Sequence, residues 1–77
     1  MDPRTPFILY TRPGCHLCEH AEALLRALAI EFRAVNIELD SELEKVYGLR
    51  IPVLRITGSG QELAFPFDAG TVRAFLG

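Results

Sequence analysis

The chain has 77 residues, 49% of them hydrophobic, and a formal net charge of −2 at pH 7. This is the size at which one core begins to suffice without disulfides or metals, and we expect residues 1–77 to form a single domain. The slightly acidic balance, without any cluster of Lys or Arg, argues against nucleic-acid binding.

The start of the chain shows no targeting pattern. Met1 to Arg4 is followed by only a short apolar run and a charged loop, so neither a signal-peptide core nor a stretch of ~20 apolar residues is present. We expect a cytoplasmic protein with no membrane partner. In that reducing compartment, a lone Cys-x-x-Cys pair is more often redox-active or metal-binding than a structural disulfide.

The first predicted unit is a strand, a tight loop and a helix. The apolar run Phe7–Thr11 predicts a strand buried on both faces, and Pro13-Gly14 ends it. From Cys15 to about Ala29 the chain is rich in Ala, Leu and Glu, which favour a helix. The only two cysteines, Cys15 and Cys18, therefore lie at the start of this helix. Its polar side on a helical wheel collects Glu19, Glu22 and Arg26.

The two cysteines differ in predicted environment and role. The thiolate is the attacking species, and the free N–H groups and partial positive charge at a helix N-terminus stabilise it, so Cys15 is the candidate nucleophile. Cys18 follows about 60° around the helix axis, close enough to form a disulfide, and is the candidate resolving cysteine. Its place at the edge of the apolar side predicts that it is half covered. The carboxylate of Glu19 would oppose thiolate formation, and Arg12 and His16 are the available counterweights.

The middle of the chain predicts a second strand and a second helix. The strand covers residues 31–39, and alternation along it places three side chains on one face: Val35, Ile37 and Leu39. Ser41 and Glu44 have the spacing of a capping box, which starts a short helix that ends near Gly48.

The last third predicts a hairpin and a third helix. A strand over 50–57 is interrupted by Pro52, a turn at 58–60 follows, and 61–65 returns as a fourth strand. Asp68 is the predicted N-cap of the last helix. The order β-α-β-α-β-β-α resembles the thioredoxin-like architecture, an α/β fold with a four-stranded mixed sheet flanked by helices. Its first two strands are parallel, and the dithiol lies at the C-terminal end of the first strand.

Three segments of the chain resemble glutaredoxins. They are Leu9 to Cys18 with its Cys-x-x-Cys motif, Arg50 to Leu54 with its Ile-Pro pair, and Phe65 to Asp68 before the final helix. More narrowly, nearly the whole chain is similar to small bacterial glutaredoxin-like proteins whose function is largely unassigned. The specificity lies in the combination of Cys-x-x-Cys after a strand with a later Ile-Pro.

The resemblance implies the same roles for the two cysteines and adds further site residues. Pro52 would be a cis-proline that faces the dithiol, and the backbone of Ile51 would pair with a bound thiol peptide. Arg12 stands where glutaredoxins commonly place a Lys that meets a carboxylate of glutathione. Asp68 is a candidate ligand contact beside its role as a helix cap. His16, when protonated, would favour the thiolate next to it.

The chain departs from glutaredoxins at two places. His16-Leu17 stands between the cysteines where glutaredoxins usually carry Pro-Tyr, and this bears on the redox potential. Phe65 to Phe67 replaces the Gly-Gly pair that lets a glutaredoxin backbone approach glutathione, and Pro66 within it lacks a backbone N–H.

The sequence leaves three functions open. The leading hypothesis is a monomeric thiol–disulfide oxidoreductase of glutaredoxin type with no bound cofactor. It reduces protein or glutathione mixed disulfides and is restored by glutathione or by a flavoprotein disulfide reductase. The alternative is a metal or iron–sulfur module. Neither His16 nor His20 converges with the cysteines, so a second chain or an external thiol would have to complete a tetrahedral site. The third is a thioredoxin-like interaction domain with a vestigial dithiol.

Overall fold

Strands and helices alternate along residues 6–77, the part of the chain that this computed structural model describes. The segment Met1 to Arg4, on which the expectation of no targeting signal rests, lies outside the described residues. The elements in order are β1 (Phe7–Thr11), α1 (His16–Ala27), β2 (Arg33–Asn36), a 3-10 turn (Ile37–Leu39), α2 (Ser41–Tyr47), β3 (Val53–Ile56), β4 (Glu62–Ala64) and α3 (Ala69–Leu76). The predicted order β-α-β-α-β-β-α is confirmed.

The four strands form one mixed sheet in the order β2-β1-β3-β4. The pairing of β1 with β2 is parallel, and β3 is antiparallel to both of its neighbours. The continuous apolar run of β1 is explained by its central place in the sheet, because a strand flanked on both sides and covered on both faces has no solvated side. This is the predicted thioredoxin-like arrangement, with β1 pointing its C-terminal end toward the cysteines.

The core has two parts, one on each face of the sheet. Alternation along β1 sends Leu9 to one part and Ile8 and Tyr10 to the other. The first part packs against α1 and α3, and its buried members are Leu9, Ala21, Leu25, Leu54, Phe67 and Val72. The second part packs against the 3-10 turn and α2, and its buried members are Ile8, Tyr10, Ile37, Tyr47 and Val53. Helices therefore cover both faces.

The second strand is shorter than the sequence predicts. It ends at Asn36, whose side-chain oxygen accepts a hydrogen bond from the N–H of Glu38 at 2.9 Å and starts the 3-10 turn. This local bond replaces the extended ladder with a turn. The predicted shared face is wrong for the same reason, because Ile37 is fully buried whereas Leu39 is 85% exposed.

The second helix begins one residue earlier than its predicted capping box. Asp40 is the N-cap, and its Oδ1 accepts hydrogen bonds from the N–H groups of Glu42 at 2.9 Å and Leu43 at 3.4 Å. Ser41 is the first helical residue instead. Asp caps a helix as well as Ser does, and here the carboxylate adds a favourable charge at the N-terminus.

The predicted strand over 50–57 is also shorter, because β3 begins after the proline. Pro52 precedes Val53, the first residue of the strand, so its missing N–H removes no ladder hydrogen bond. The Ile51–Pro52 peptide bond is cis, as the resemblance implies, and so is the Phe65–Pro66 bond. The carbonyl of Pro52 accepts a hydrogen bond from the N–H of Phe65 at 3.0 Å, which joins the two cis-proline segments.

A polar network attaches α2 to the hairpin of β3 and β4. Tyr47 is 5% exposed, stacks on Tyr10 with ring centroids 4.2 Å apart, and donates its hydroxyl proton to Glu62. The same carboxylate accepts from Arg55 at 3.0 Å and from Arg50 at 3.2 Å. Burial alone would raise the pKa of Glu62, but these hydrogen bonds outweigh it and hold the pKa below its usual value. The loop before the cis-proline is thereby fixed to the sheet.

The last helix follows its predicted cap. Asp68 accepts hydrogen bonds from the backbone N–H of Thr71 at 2.8 Å and from its hydroxyl at 2.9 Å. Val72 from this helix is fully buried in the core beneath α1. Among residues 6–77, no helix has the length and apolar character needed to cross a membrane.

Candidate active site

Cys15 occupies the N-cap position of α1. Gly14 before it has φ +74°, a conformation that glycine adopts without strain, and the turn it makes delivers the chain to the helix start. The backbone of Cys15 is extended, and its Sγ accepts a hydrogen bond from the N–H of Cys18 at 3.1 Å. A half-buried sulfur that receives a helix N–H lies where negative charge on it is stabilised.

Cys18 lies in the first turn of α1 and is 1% exposed. The prediction of half cover is wrong, because α1 turns this position fully toward the core, on the same side as the buried Leu25. Burial raises the pKa of the Cys18 thiol to about 12, and its hydrogen bond with Cys15 adds to the rise. Both cysteines are free thiols. One thiol is accessible and the other is protected, which is the asymmetry expected of an attacking and a resolving pair.

A cleft of about 260 Å³ opens beside the two sulfurs. It is lined by Thr11 to Cys15 from the strand end and loop, by Cys18, Glu19 and Glu22 from α1, and by Asn36 from the end of β2. A larger cavity of about 500 Å³ lies at the other end of α1, around Ile30 and Phe32, and neither cysteine lines it. The chemistry belongs to the smaller cleft.

Arg12 lines this cleft, and its positive charge is paired with carboxylates of the same chain. Its guanidinium forms an ion pair with Glu44 of α2 and lies 3.7 Å from a carboxylate oxygen of Glu38. The Arg12 side chain is 33% exposed. A glutathione carboxylate would have to displace Glu44 or share the guanidinium with it. The anion contact that the resemblance implies for Arg12 stays a prediction.

His16 is the first residue of α1 and is directed to solvent. Its side chain is 90% exposed, and its Nδ1 lies 3.7 Å from Oε1 of Glu19. A protonated His16 would therefore offset the Glu19 carboxylate first, and any effect on Cys15 would follow from that pairing.

The cis-proline segment shows which backbone groups remain for a substrate. The Pro52 side chain is fully buried. Ile51 is half-buried, and its N–H donates to the carbonyl of Tyr47 at 3.0 Å. Pairing between Ile51 and a bound peptide would therefore use the Ile51 carbonyl as an acceptor. Asp68 serves the helix cap described above, and the hydrogen bonds from Thr71 lower its pKa. A ligand contact at Asp68 stays a prediction.

Glu22 also lines the cleft, although sequence analysis does not identify it as a site residue. The helical wheel assigns it to the solvent side with Arg26, yet its side chain is only 24% exposed and lines the cleft that also contains Cys18. The signal in the sequence is spacing, since a residue four positions after Cys18 lies on the same side of the helix. Arg26 donates to Glu22 Oε1 at 3.1 Å and orients the carboxylate.

The alternative function of metal binding would need ligands besides the two cysteines. Over residues 6–77, no group of three or more His, Cys, Asp or Glu side chains is arranged to hold a metal ion. A second chain or an external thiol would still be required to complete such a site, as the sequence indicates.

Comparisons with known proteins agree with the fold described above. The model of the glutaredoxin-like domain (DUF836) matches residues 7–77. The crystal structure of protein XcR50 from X. campestris is 49% identical with a TM-score of 0.83, and the match covers 91% of this chain and 93% of that one. The solution structure of Ne2328 from Nitrosomonas europaea is 34% identical with a TM-score of 0.78, and the match covers 97% and 93% of the two chains.

A shorter match exists to a curated protein. The Gene 56 protein of Mycobacterium phage L5 is 46% identical over 37 residues, which is 48% of this chain and 36% of that protein. The match therefore spans about a third of the length of that relative.

Proposed function

Because this chain belongs to the glutaredoxin-like domain family, we propose that it is a thiol–disulfide oxidoreductase that reduces protein or glutathione mixed disulfides through Cys15 and Cys18. The observation that carries the proposal is the 3.1 Å hydrogen bond from the N–H of Cys18 to the sulfur of Cys15 at the start of α1. It supports a stabilised, reachable thiolate one turn away from a protected second thiol.

The proposed reaction transfers two electrons from the dithiol to the substrate. The Cys15 thiolate attacks one sulfur of the substrate disulfide, that disulfide breaks, and the leaving thiolate takes up a proton from water. A mixed disulfide between Cys15 and the other substrate sulfur remains. The Cys18 thiolate then attacks the Cys15 sulfur, which forms the Cys15–Cys18 disulfide and releases the second substrate thiolate. One disulfide becomes two thiols, and the dithiol becomes a disulfide.

The site residues outside the dithiol are assigned to substrate binding. The Ile51 carbonyl, next to Pro52, is proposed to accept a hydrogen bond from a substrate peptide, and Arg12 to meet a carboxylate once Glu44 moves aside. Leu17, which is 50% exposed between the two cysteines, offers apolar contact to a protein partner.

Regeneration of the dithiol is proposed to use glutathione or a flavoprotein disulfide reductase in the cytoplasm, with the chain acting as a monomer. Replacing Glu44 with Gln removes the carboxylate that holds Arg12, so a glutathione-dependent enzyme is expected to show a KM for glutathione about threefold lower in this variant. An unchanged KM indicates that Arg12 does not contact glutathione and favours the reductase.

Redox titration tests the proposal directly. The protein is equilibrated without air in glutathione buffers of stepped potential, the free thiols are alkylated, and intact mass counts them. A reversible two-electron transition at roughly −200 to −230 mV would place the dithiol with glutaredoxins, and one near −270 mV with thioredoxins. Cys15→Ser is expected to abolish turnover, while Cys18→Ser traps the mixed disulfide. His20→Gln is the surface control and is expected to keep full activity. Full activity in Cys15→Ser would contradict the assignment.

A further inference from the structure

The proposed reaction leaves one proton unassigned. To resolve the mixed disulfide, Cys18 must attack as a thiolate, yet its side chain is 1% exposed and packs against the core. Burial disfavours the charged form of a thiol. The sulfur lies at the wall of the cleft rather than in open solvent, so a group within the cleft that takes up the proton would speed resolution at neutral pH.

The groups that share the cleft with Cys18 leave one candidate. Arg12 is a cation, the Thr11 hydroxyl and the Asn36 amide are neutral groups of very low basicity, and Cys15 is the sulfur under attack. Glu19 is 63% exposed, stands one position after Cys18 and faces His16 in solvent. Glu22 stands one full turn after Cys18, on the same side of the helix, and is 24% exposed.

The contacts of Glu22 suit a proton acceptor. Arg26, one further turn along α1, donates to Oε1 at 3.1 Å and holds the carboxylate against the helix. That bond is made to Oε1, and the carboxylate has a second oxygen that can accept a proton. The negative charge of Glu22 also acts on the Cys18 thiol and raises the pKa of that thiol, so the two groups are within electrostatic range.

On the premise of the proposed function, we propose that Glu22 accepts the Cys18 proton when the mixed disulfide is resolved. The S–H bond of Cys18 breaks and the proton passes to the Glu22 carboxylate, either directly or through one water in the cleft. The resulting thiolate attacks Cys15, the bond between Cys15 and the substrate sulfur breaks, and the departing thiolate carries the electron pair. The protonated Glu22 then passes the proton through the open cleft to water.

A two-step reporter separates this step from the first attack. Dithiobis(nitrobenzoate) releases one coloured thiolate when Cys15 attacks and a second when Cys18 resolves the adduct, and rapid mixing follows both phases. In Glu22→Gln, the rate of the second phase divided by the rate of the first is expected to fall about 100-fold, the lower end of general-base contributions. Glu22→Asp, which keeps the carboxylate, is expected to recover part of this loss.

A purely electrostatic effect of Glu22 predicts the opposite change in the second-phase rate. If Glu22 acts only as a negative neighbour, its removal makes Cys18 more acidic, and the second phase becomes faster. That result, or an unchanged ratio, overturns the proposal. An equal loss in Glu19→Gln, which removes another carboxylate from the same cleft, also overturns it, since the effect would then belong to the whole cleft. Thermal unfolding of each variant verifies that the fold is retained.

The pH profile supplies a second readout. With Glu22 in place, the second-phase rate is expected to depend only weakly on pH, because the carboxylate rather than hydroxide takes up the Cys18 proton. In Glu22→Gln it is expected to climb in proportion to hydroxide over about pH 5 to 9. Identical profiles overturn the proposal. If the native protein shows no first phase at all, the oxidoreductase assignment itself fails, whereas two normal phases with an unaffected Glu22→Gln ratio reject only the role of Glu22.

Discussion

Replacing Glu62 with Ala is expected to destabilise the fold strongly for a partly exposed residue. The side chain is 22% exposed and accepts hydrogen bonds from Tyr47, Arg55 and Arg50. Its loss leaves the hydroxyl of Tyr47 buried without this acceptor and frees two guanidinium groups. Because Tyr47 belongs to α2 and Glu62 to β4, the substitution also releases the contact between that helix and the hairpin.

The expected magnitude follows from the three bonds. A hydrogen bond to a charged acceptor contributes about 1.5–3 kcal/mol when its donor is buried, as Tyr47 is. The Arg50 and Arg55 side chains are 47% and 36% exposed, so solvent screening limits each ion pair to about 0–1 kcal/mol. The sum is about 1.5–5 kcal/mol, which corresponds to a Tm lower by at least about 6 °C for a domain of this size.

Urea unfolding followed by circular dichroism measures this change at constant m. Gln61→Ala, at the exposed neighbouring position, is the matched control and is expected to stay within about 0.5 kcal/mol of the native protein. The folded-state pKa of Glu62 is lowered, so its contribution is present above the unfolded pKa and is lost as pH falls through the folded value. A loss below about 0.5 kcal/mol for Glu62→Ala at neutral pH, or an equal loss in the control, would refute the reasoning.

Three further predictions concern the thiols, the core and the last helix. Cys15 is expected to react with iodoacetamide at least about 100-fold faster than Cys18, as peptide mass mapping over time would show, and equal rates would contradict the asymmetry. Leu9→Ala is expected to cost about 2–5 kcal/mol in urea unfolding, against about 0.5 kcal/mol or less for the exposed Leu39→Ala. Asp68→Ala is expected to lower Tm at neutral pH, and the difference should shrink as pH falls through the lowered folded pKa of Asp68. A pH-independent difference would contradict the charged cap.

The sequence predicts the first half of the site well because its signals are local. An apolar run ended by Pro13-Gly14 and followed by helix formers places Cys15 at a helix N-terminus without knowledge of any distant contact. The cap at Asp68 is found for the same reason. The cis geometry of Pro52 comes from the family resemblance, since the base rate for X-Pro bonds alone favours trans.

The wrong predictions arise where a hydrogen bond or ion pair from another side chain, near or far along the chain, determines the local structure. Asn36 ends β2 with its own hydrogen bond, and Asp40 takes the cap position before Ser41, so residues with similar propensities compete within a few positions. Arg12 is paired with Glu44, which is 32 residues away along the chain. A helical wheel gives the relative angle of Glu22 but not the cleft that forms beside it. Spacing rules carry no information about such tertiary contacts.

The position of β1 in the sheet also sets an order of events during synthesis. Its parallel partner β2 is only one helix away along the chain, but its other neighbour pairs Phe7 with Ile56 and Tyr10 with Val53. The central strand therefore keeps one edge of open N–H and C=O groups until most of the chain has left the ribosome. An apolar strand with an open edge is a template for pairing with other nascent chains. Between translation of residues 11 and 56, the only protection of that edge is the speed of synthesis, because its partner strand does not yet exist.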